Sequence, residues 1–190
     1  MSTEPLDRNS IESELETLVS KSKDYMNTRN EGELVSLRND MIHLKLKLES
    51  AMENKNNHNA NYITALKLML SIIHKFTYSV SLMDKLKSKK PMCMEFDTHQ
   101  MLDTLLPHIK TLAEYDNWID KLDTKKLEED YLFIESLEDQ HKRVLLTYLI
   151  QDWRNIDEVY TLLKIGETYK NISEKLVSLS LVSSYMKNGQ

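Results

Sequence analysis

The scarcity of glycine and proline constrains this chain more than any other feature of its sequence. Its 190 residues include only three glycines and three prolines, whereas ordinary proteins contain about 7% and about 5% of the two. Because these residues make most turns, residues 33–90 and 108–165, which contain neither, are expected to form long elements. Strands rarely exceed about 10 residues. We therefore predict an all-α fold, an elongated helical bundle or coiled coil of long helices.

The chain divides into three regions by its apolar pattern. Residues 1–31 predict an N-terminal helix followed by a linker. Residues 32–90 predict long heptad-bearing helices with an asparagine-rich break at 54–61, because asparagine competes for backbone hydrogen bonds inside helices. Residues 91–190 predict a C-terminal helical bundle or coiled-coil region.

Apolar residues repeat every 3.5 positions on both sides of the asparagine-rich break, which predicts a seam facing a partner helix. The first run is Leu34, Leu37, Met41, Leu44, Leu48 and Ala51. The second run is Tyr62, Ala65, Met69, Ile72, Phe76, Met83 and Leu86. Beside the second run lies another stripe: Ile63, Leu66, Leu70, Ile73 and Val80. A face this wide predicts burial in a bundle of three or more helices.

Boundaries in the C-terminal region are predicted from caps and breakers. Asp97 and Asp123 are candidate N-caps, and Pro107 marks either a true helix start or a kink. From Ile134 an apolar register continues to Met186. Glycine costs only about 1 kcal/mol inside a helix, so the helix is expected to continue through Gly166, and residues 156–186 are predicted to be helical.

Composition excludes several classes of protein. The net charge of −5 comes from 25 basic and 30 acidic residues mixed along the chain, which is unlike a nucleic-acid-binding protein. No run approaches about 18 consecutive apolar residues, so no membrane insertion is expected. The first residues lack the apolar core of a signal peptide, and the single Cys93 suits a reducing compartment. We expect a cytoplasmic, cytoskeleton-associated protein, with a nuclear location left open.

Few residues have a spacing that suits chemistry. Glu138 and His141 have the Glu-x-x-His spacing of di-iron bundles, but the only other approximation is Asp40 with His43, so we expect no metal site. Cys93 has no cysteine-enzyme signature around it and is interpreted as a small apolar filler. Phosphate loops and nucleophile elbows need glycines that the chain lacks. The sequence therefore predicts no enzyme activity, no cofactor and no small-molecule substrate.

Long amphipathic helices instead predict protein partners, and we expect a hetero-oligomer with other helical subunits. Trp118 and Trp153 are candidate anchors for a partner, although both could equally close an internal core. Nine residues on the heptad seams and the last apolar stripe are the predicted partner interface: Leu34, Leu37, Met41, Leu44, Leu48, Tyr169, Ile172, Leu176 and Leu179.

Residues 112–182 resemble a known family. The paired Leu162-Leu163, the segment Ser173–Leu179 and the Gln140-His141 pair are similar to the C-terminal region of dynactin subunit 3, the small shoulder subunit of dynactin. Leu176 and Leu179 stand where that family has aromatic residues, and its Tyr-Asn after the paired leucine is absent. The resemblance implies a non-enzymatic, elongated helical subunit that supports dynein-based microtubule transport.

Two other classes remain open from the sequence. A coiled-coil subunit of another assembly, such as a kinetochore or spindle complex, would show the same heptads with different partners. A self-contained helical-bundle enzyme or metal protein would fold as a monomer with a defined pocket.

Overall fold

A computed structural model describes residues 60–86, 95–113 and 121–188, together with five single positions between 39 and 49. Across these residues the chain forms four α-helices and one 3₁₀ turn, and they include no strand. The predicted all-α class is confirmed.

The first two helices each bury a broad apolar face. Helix α1 spans Ala60–Lys85 and helix α2 spans Glu95–Ala113. Of the predicted asparagine-rich break at 54–61, residues 60 and 61 are helical, and the others lie outside the described residues. Because α2 begins at Glu95, Asp97 lies inside the helix and is not its cap. Pro107 also lies inside α2, so the interpretation of this proline as a helix start was wrong.

The other two helices form an antiparallel hairpin. Helix α3 spans Thr124–Gln151 and helix α4 spans Ile156–Asn188, joined by a 3₁₀ turn at Trp153–Asn155. The predicted N-cap is confirmed, since the Asp123 side chain accepts a hydrogen bond from the backbone N–H of Lys126 at 3.2 Å.

The apolar register predicted from Ile134 to Met186 is therefore not one helix, because the turn interrupts it. The prediction that helix continues through Gly166 is confirmed, since α4 has no break there. The prediction that residues 156–186 are helical is confirmed, since all of them lie in α4.

Helix α4 contacts each of the other three helices and lies at the centre of the fold. On α1, Tyr78 lies near Lys164 and Lys75 lies near Glu167, so α1 and α4 run in opposite directions. On α2, Met101 lies beside Gly166, where α4 meets Glu138 and His141 of α3, whereas His108 contacts Asp130 of α3, so α2 and α3 are also antiparallel. The four helices consequently alternate in direction along the chain.

The core follows the stripes that the sequence predicted on α1. Apart from the partly exposed Ile63, both stripes are buried or packed against the core, including four buried positions of the heptad: Ala65, Met69, Ile72 and Phe76. The polar heptad position Ser79 is buried as well, and its hydroxyl donates to the carbonyl oxygen of Phe76 at 2.7 Å. Burying one such apolar side chain contributes about 1.5–3 kcal/mol, so this wide face holds α1 on α4. None of the described helices is long and apolar enough to cross a membrane.

Candidate functional site

The turn between α3 and α4 is closed by side chains, because the chain has neither glycine nor proline there. The backbone N–H of Asp152 donates to the carbonyl oxygen of Tyr148 at 2.9 Å and ends α3. The Asp152 carboxylate accepts hydrogen bonds from the backbone N–H and from the guanidinium of Arg154. The bond from the guanidinium has the larger effect and the bond from the backbone the smaller, and both lower the pKa of Asp152. Asn155 donates to the Tyr148 hydroxyl at 2.9 Å. These bonds fix the backbone of the turn, on which the Trp153 side chain is exposed.

Large apolar side chains are exposed at this end of the bundle. Ile150 is 86% exposed and Trp153 is 76% exposed, values far above those of the core. We call the group the hairpin-end patch, and it comprises five residues: Leu146, Ile150, Trp153, Ile156 and Tyr160. Scattered exposed apolar residues are normal, and others occur elsewhere on the described helices, but a cluster at one end of a fold is a candidate interaction surface.

The helical parts of the patch lie on the same side of the hairpin. Leu146 follows the inward-facing Leu145 by one position on α3, and Tyr160 follows the inward-facing Val159 by one position on α4. One position rotates a side chain by about 100° around the helix axis. Because α3 and α4 run in opposite directions, these two rotations bring both side chains to the same side. The four helical residues of the patch thus form one surface with Trp153 at its end.

A second unusual feature lies inside the hairpin, where α3 carries the buried side chains of Glu138 and His141. Only 1% of Glu138 is exposed, and its Oε1 lies 2.6 Å from the ammonium of Lys142. Its Oε2 receives no hydrogen bond from the described residues. The Nε2 atom of His141 lies 3.3 Å from the carbonyl oxygen of Leu162. Because a carbonyl oxygen only accepts, Nε2 is the donor in this hydrogen bond.

Gly166 on α4 allows this close approach. A Cβ at residue 166 would lie 3.3 Å from Cδ2 of His141 and 3.6 Å from Cγ of Glu138. The Glu-x-x-His spacing therefore places a carboxylate and an imidazole against a notch in α4. Among the described residues no group of three or more His, Cys, Asp or Glu could hold a metal ion. The pair is suited to fixing the packing of α3 on α4.

Ion pairs between helices surround this interior. Lys170 of α4 lies 2.7 Å from Glu135 of α3. The hydrogen bond from Lys170 has the largest effect on the pKa of Glu135 and lowers it, and the hydrogen bond from Tyr131 lowers it further. Nε2 of His108 lies 2.6 Å from the Asp130 carboxylate. Burial by itself raises the pKa of Asp130, but hydrogen bonds from Lys126 and His108 outweigh it and leave that pKa below its usual value.

The structure divides the nine predicted interface residues into two groups. Five lie outside the described residues: Leu34, Leu37, Met41, Leu44 and Leu48. Four lie inside the core of this chain with 0% exposure: Tyr169, Ile172, Leu176 and Leu179. The sequence analysis predicted these four as an external contact surface. The structure corrects this prediction, because their stripe packs within the chain's own bundle. Burial also raises the pKa of the Tyr169 hydroxyl, with the Ser79 hydroxyl acting in the opposite direction.

Of the two candidate anchors, Trp153 is exposed at the turn, while Trp118 lies outside the described residues, as does Cys93. Sequence reasoning missed Leu146, Ile150, Ile156 and Tyr160 as surface residues. The sequence did contain a signal for these surface residues. Leu146 and Ile150 are four positions apart, as are Ile156 and Tyr160, so each pair lies on one side of its helix, beside the stripe assigned to the core.

No family model matches the chain, and no curated protein matches it either.

Proposed function

We propose that this chain is a non-enzymatic helical subunit of a multiprotein assembly and that it binds a partner subunit through the hairpin-end patch. The exposure of Ile150 and Trp153 carries the proposal. Tryptophan dominates the energy of many interfaces, and large apolar side chains around it exclude water. The turn supports this role, because the hydrogen bonds of Asp152 and Asn155 order the backbone that carries Trp153 before a partner arrives.

We further propose that the assembly is cytoskeletal and that the chain acts there as the small shoulder subunit of dynactin acts in dynein-based microtubule transport. The support is the resemblance of residues 112–182 to that family. In the fold, those residues include the hairpin that carries the patch. A coiled-coil subunit of a kinetochore or spindle complex is the alternative, and the same experiment separates the two.

The test is affinity purification of the tagged full chain from its own cells, followed by a sucrose gradient and mass spectrometry. The patch variant is Ile150→Asp with Ile156→Asp. The control is Leu132→Asp, an equally exposed apolar residue of α3 outside the patch. We expect the wild type and the control to sediment with dynactin subunits, and the patch variant to sediment alone.

Recovery of the same subunits with the patch variant would show that the patch is not the docking surface. Recovery of kinetochore or spindle subunits in place of dynactin would reject the dynactin assignment and keep the role as an assembly subunit.

A further inference from the structure

We propose that the hairpin-end patch continues into a groove along α4, between α1 and α3, and that a helix of the partner subunit lies in this groove. At intervals of about seven residues, the partner helix would present an apolar residue to the patch, then an acidic residue, a basic residue and a second apolar residue. This inference rests on the function proposed above and names the kind of element that binds beside the patch.

Helix α4 exposes one narrow stripe. Between residues 160 and 181 its exposed side chains recur every seven positions, and all the others are buried or partly buried. The four exposed side chains are Tyr160, Glu167, Glu174 and Leu181. Seven residues are close to two turns, so a second helix laid along α4 meets all four. At 1.5 Å per residue the stripe is about 32 Å long.

The stripe lies between two other helices. Lys75 of α1 and Lys142 of α3 both lie close to the Glu167 carboxylate, so α1 and α3 flank α4 at this level. Two turns further along α4, Glu174 lies close to Tyr131 of α3. Helices α1 and α3 each pack on α4 but hardly on each other. The stripe is therefore the floor of a groove with α1 and α3 as its walls, a shape that receives an amphipathic helix.

The groove joins the hairpin-end patch at Tyr160, which belongs to both. The ammonium of Lys164 lies 5.8 Å from the centroid of the Tyr160 ring and donates a hydrogen bond to Glu167 at 2.6 Å. At the other end of the stripe, Leu181 and Tyr185 are exposed. The groove is thus apolar at both ends and charged between them, and its surface is continuous with the patch.

Two charges in the groove are left for a partner to pair. Among the described residues, neither Lys75 nor Glu174 takes part in an ion pair. The other lysines of the groove are paired within the fold: Lys142, Lys164 and Lys170.

The unpaired charges specify the chemistry of the partner helix. Lys75 lies beside Glu167, so it is separated from Glu174 by about 10 Å along the groove. An acidic residue opposite Lys75 and a basic residue opposite Glu174 would satisfy both charges. The reverse order would oppose like charges, which specific interfaces avoid.

The test uses a carbodiimide, which joins a carboxylate directly to an amine when the two are in contact. The probe is the assembly purified with the tagged full chain in its native sequence, so no variant has to fold. We expect Lys75 to be joined to an aspartate or glutamate, and Glu174 to a lysine, of one partner segment. The two partner residues should lie about seven positions apart.

The control is Lys125, an exposed lysine on α3. It precedes the inward-facing Leu127 by two positions, which places it on the far side of the helix. Lys125 should give no product with that partner segment. Products of Lys75 and Glu174 on unrelated segments overturn the proposal, and so does the lack of any product from either residue in an assembly that is cross-linked elsewhere.

Charge reversal gives a second measurement. Lys75→Glu and Glu174→Lys should each lower the recovery of the partner severalfold. The matched controls on the outer side of α3, Lys125→Glu and Glu129→Lys, should leave the recovery unchanged. Equal losses in the groove variants and in the controls would overturn the proposal.

These results are separable from the experiment on the patch. Full recovery with the groove variants, in a chain whose patch variant loses its partners, rejects the groove and keeps the patch. Loss with the groove variants, in a chain whose patch variant keeps its partners, rejects the patch as the docking surface and keeps the groove.

Discussion

His141 of α3 donates a hydrogen bond from Nε2 to the backbone carbonyl oxygen of Leu162 on α4, at 3.3 Å and away from solvent. That carbonyl belongs to the turn of α4 that leads to Gly166, where a side chain would meet the same imidazole. The hydrogen bond and the notch therefore fix the position of His141 from two directions. A buried imidazole that donates to a backbone carbonyl and lies against a close backbone neighbour has little freedom to move.

We expect Gly166→Ala to destabilise the protein by about 1 kcal/mol, although alanine is the better helix former by about that amount. The new methyl group would lie 3.3 Å from Cδ2 of His141, which its bond to Leu162 prevents from moving away. Urea unfolding followed by circular dichroism measures the effect. In a His141→Ala background the same substitution should become stabilising, because the obstructing ring is gone. Destabilisation by Gly166→Ala in both backgrounds would show that the imidazole is not the obstacle.

Lys142→Met should destabilise the fold by about 2 kcal/mol, more than an exposed ion pair accounts for. The substitution removes the only cation within 4.0 Å of the buried Glu138 carboxylate among the described residues. Glu138→Leu combined with Lys142→Met removes the buried charge as well and should recover most of that loss. Thermal unfolding of the two single variants and the double variant at neutral pH tests this. Additive losses in the double variant would mean that the two side chains act independently.

The Asp130 carboxylate should make stability depend on acidity. Its pKa is lower in the folded protein than in the unfolded chain, where an aspartate has a pKa of about 3.9. Its contribution is therefore present above that value and is lost as the pH falls through the lower folded pKa. Asp130→Asn should destabilise the protein at pH 6 and should make little difference at pH 2. Urea midpoints across this range, with the exposed Asp103→Asn as control, measure it. A constant difference between Asp130→Asn and wild type would exclude the ionised carboxylate as its source.

The residues of α1 and α4 show why much of the fold could be predicted from sequence. Their apolar spacing identifies inward faces directly, because a helix repeats every 3.6 residues and burial selects one side. The same spacing could not tell whether Tyr169 and Leu176 face another chain or their own, since both kinds of packing need the same stripe. The structure places them against the chain's own helices.

The turn at Asp152 shows why the hairpin could not be predicted. Glycine and proline are the usual signals of a turn, yet here the side chains of Asp152 and Asn155 make the hydrogen bonds of the turn, and the neighbouring Trp153 gives no sign of it. The candidate patch depended on that turn, because Ile150 and Ile156 are exposed together only when the chain reverses between them.

Truncation at Glu167 is expected to unfold the bundle, since it removes core residues and not only a docking surface.

The central position of α4 also affects how the chain emerges from the ribosome. The other three helices precede α4 in chain order, so the broad apolar face of α1 is synthesised before α4, the helix that covers it. About 70 residues separate the end of α1 from the start of α4, an interval of roughly 4–14 s at ordinary rates of synthesis. For that time the nascent chain presents an uncovered strip of leucine, isoleucine and methionine. Transiently exposed apolar surface promotes aggregation, so the topology leaves the nascent chain vulnerable until α4 has been made.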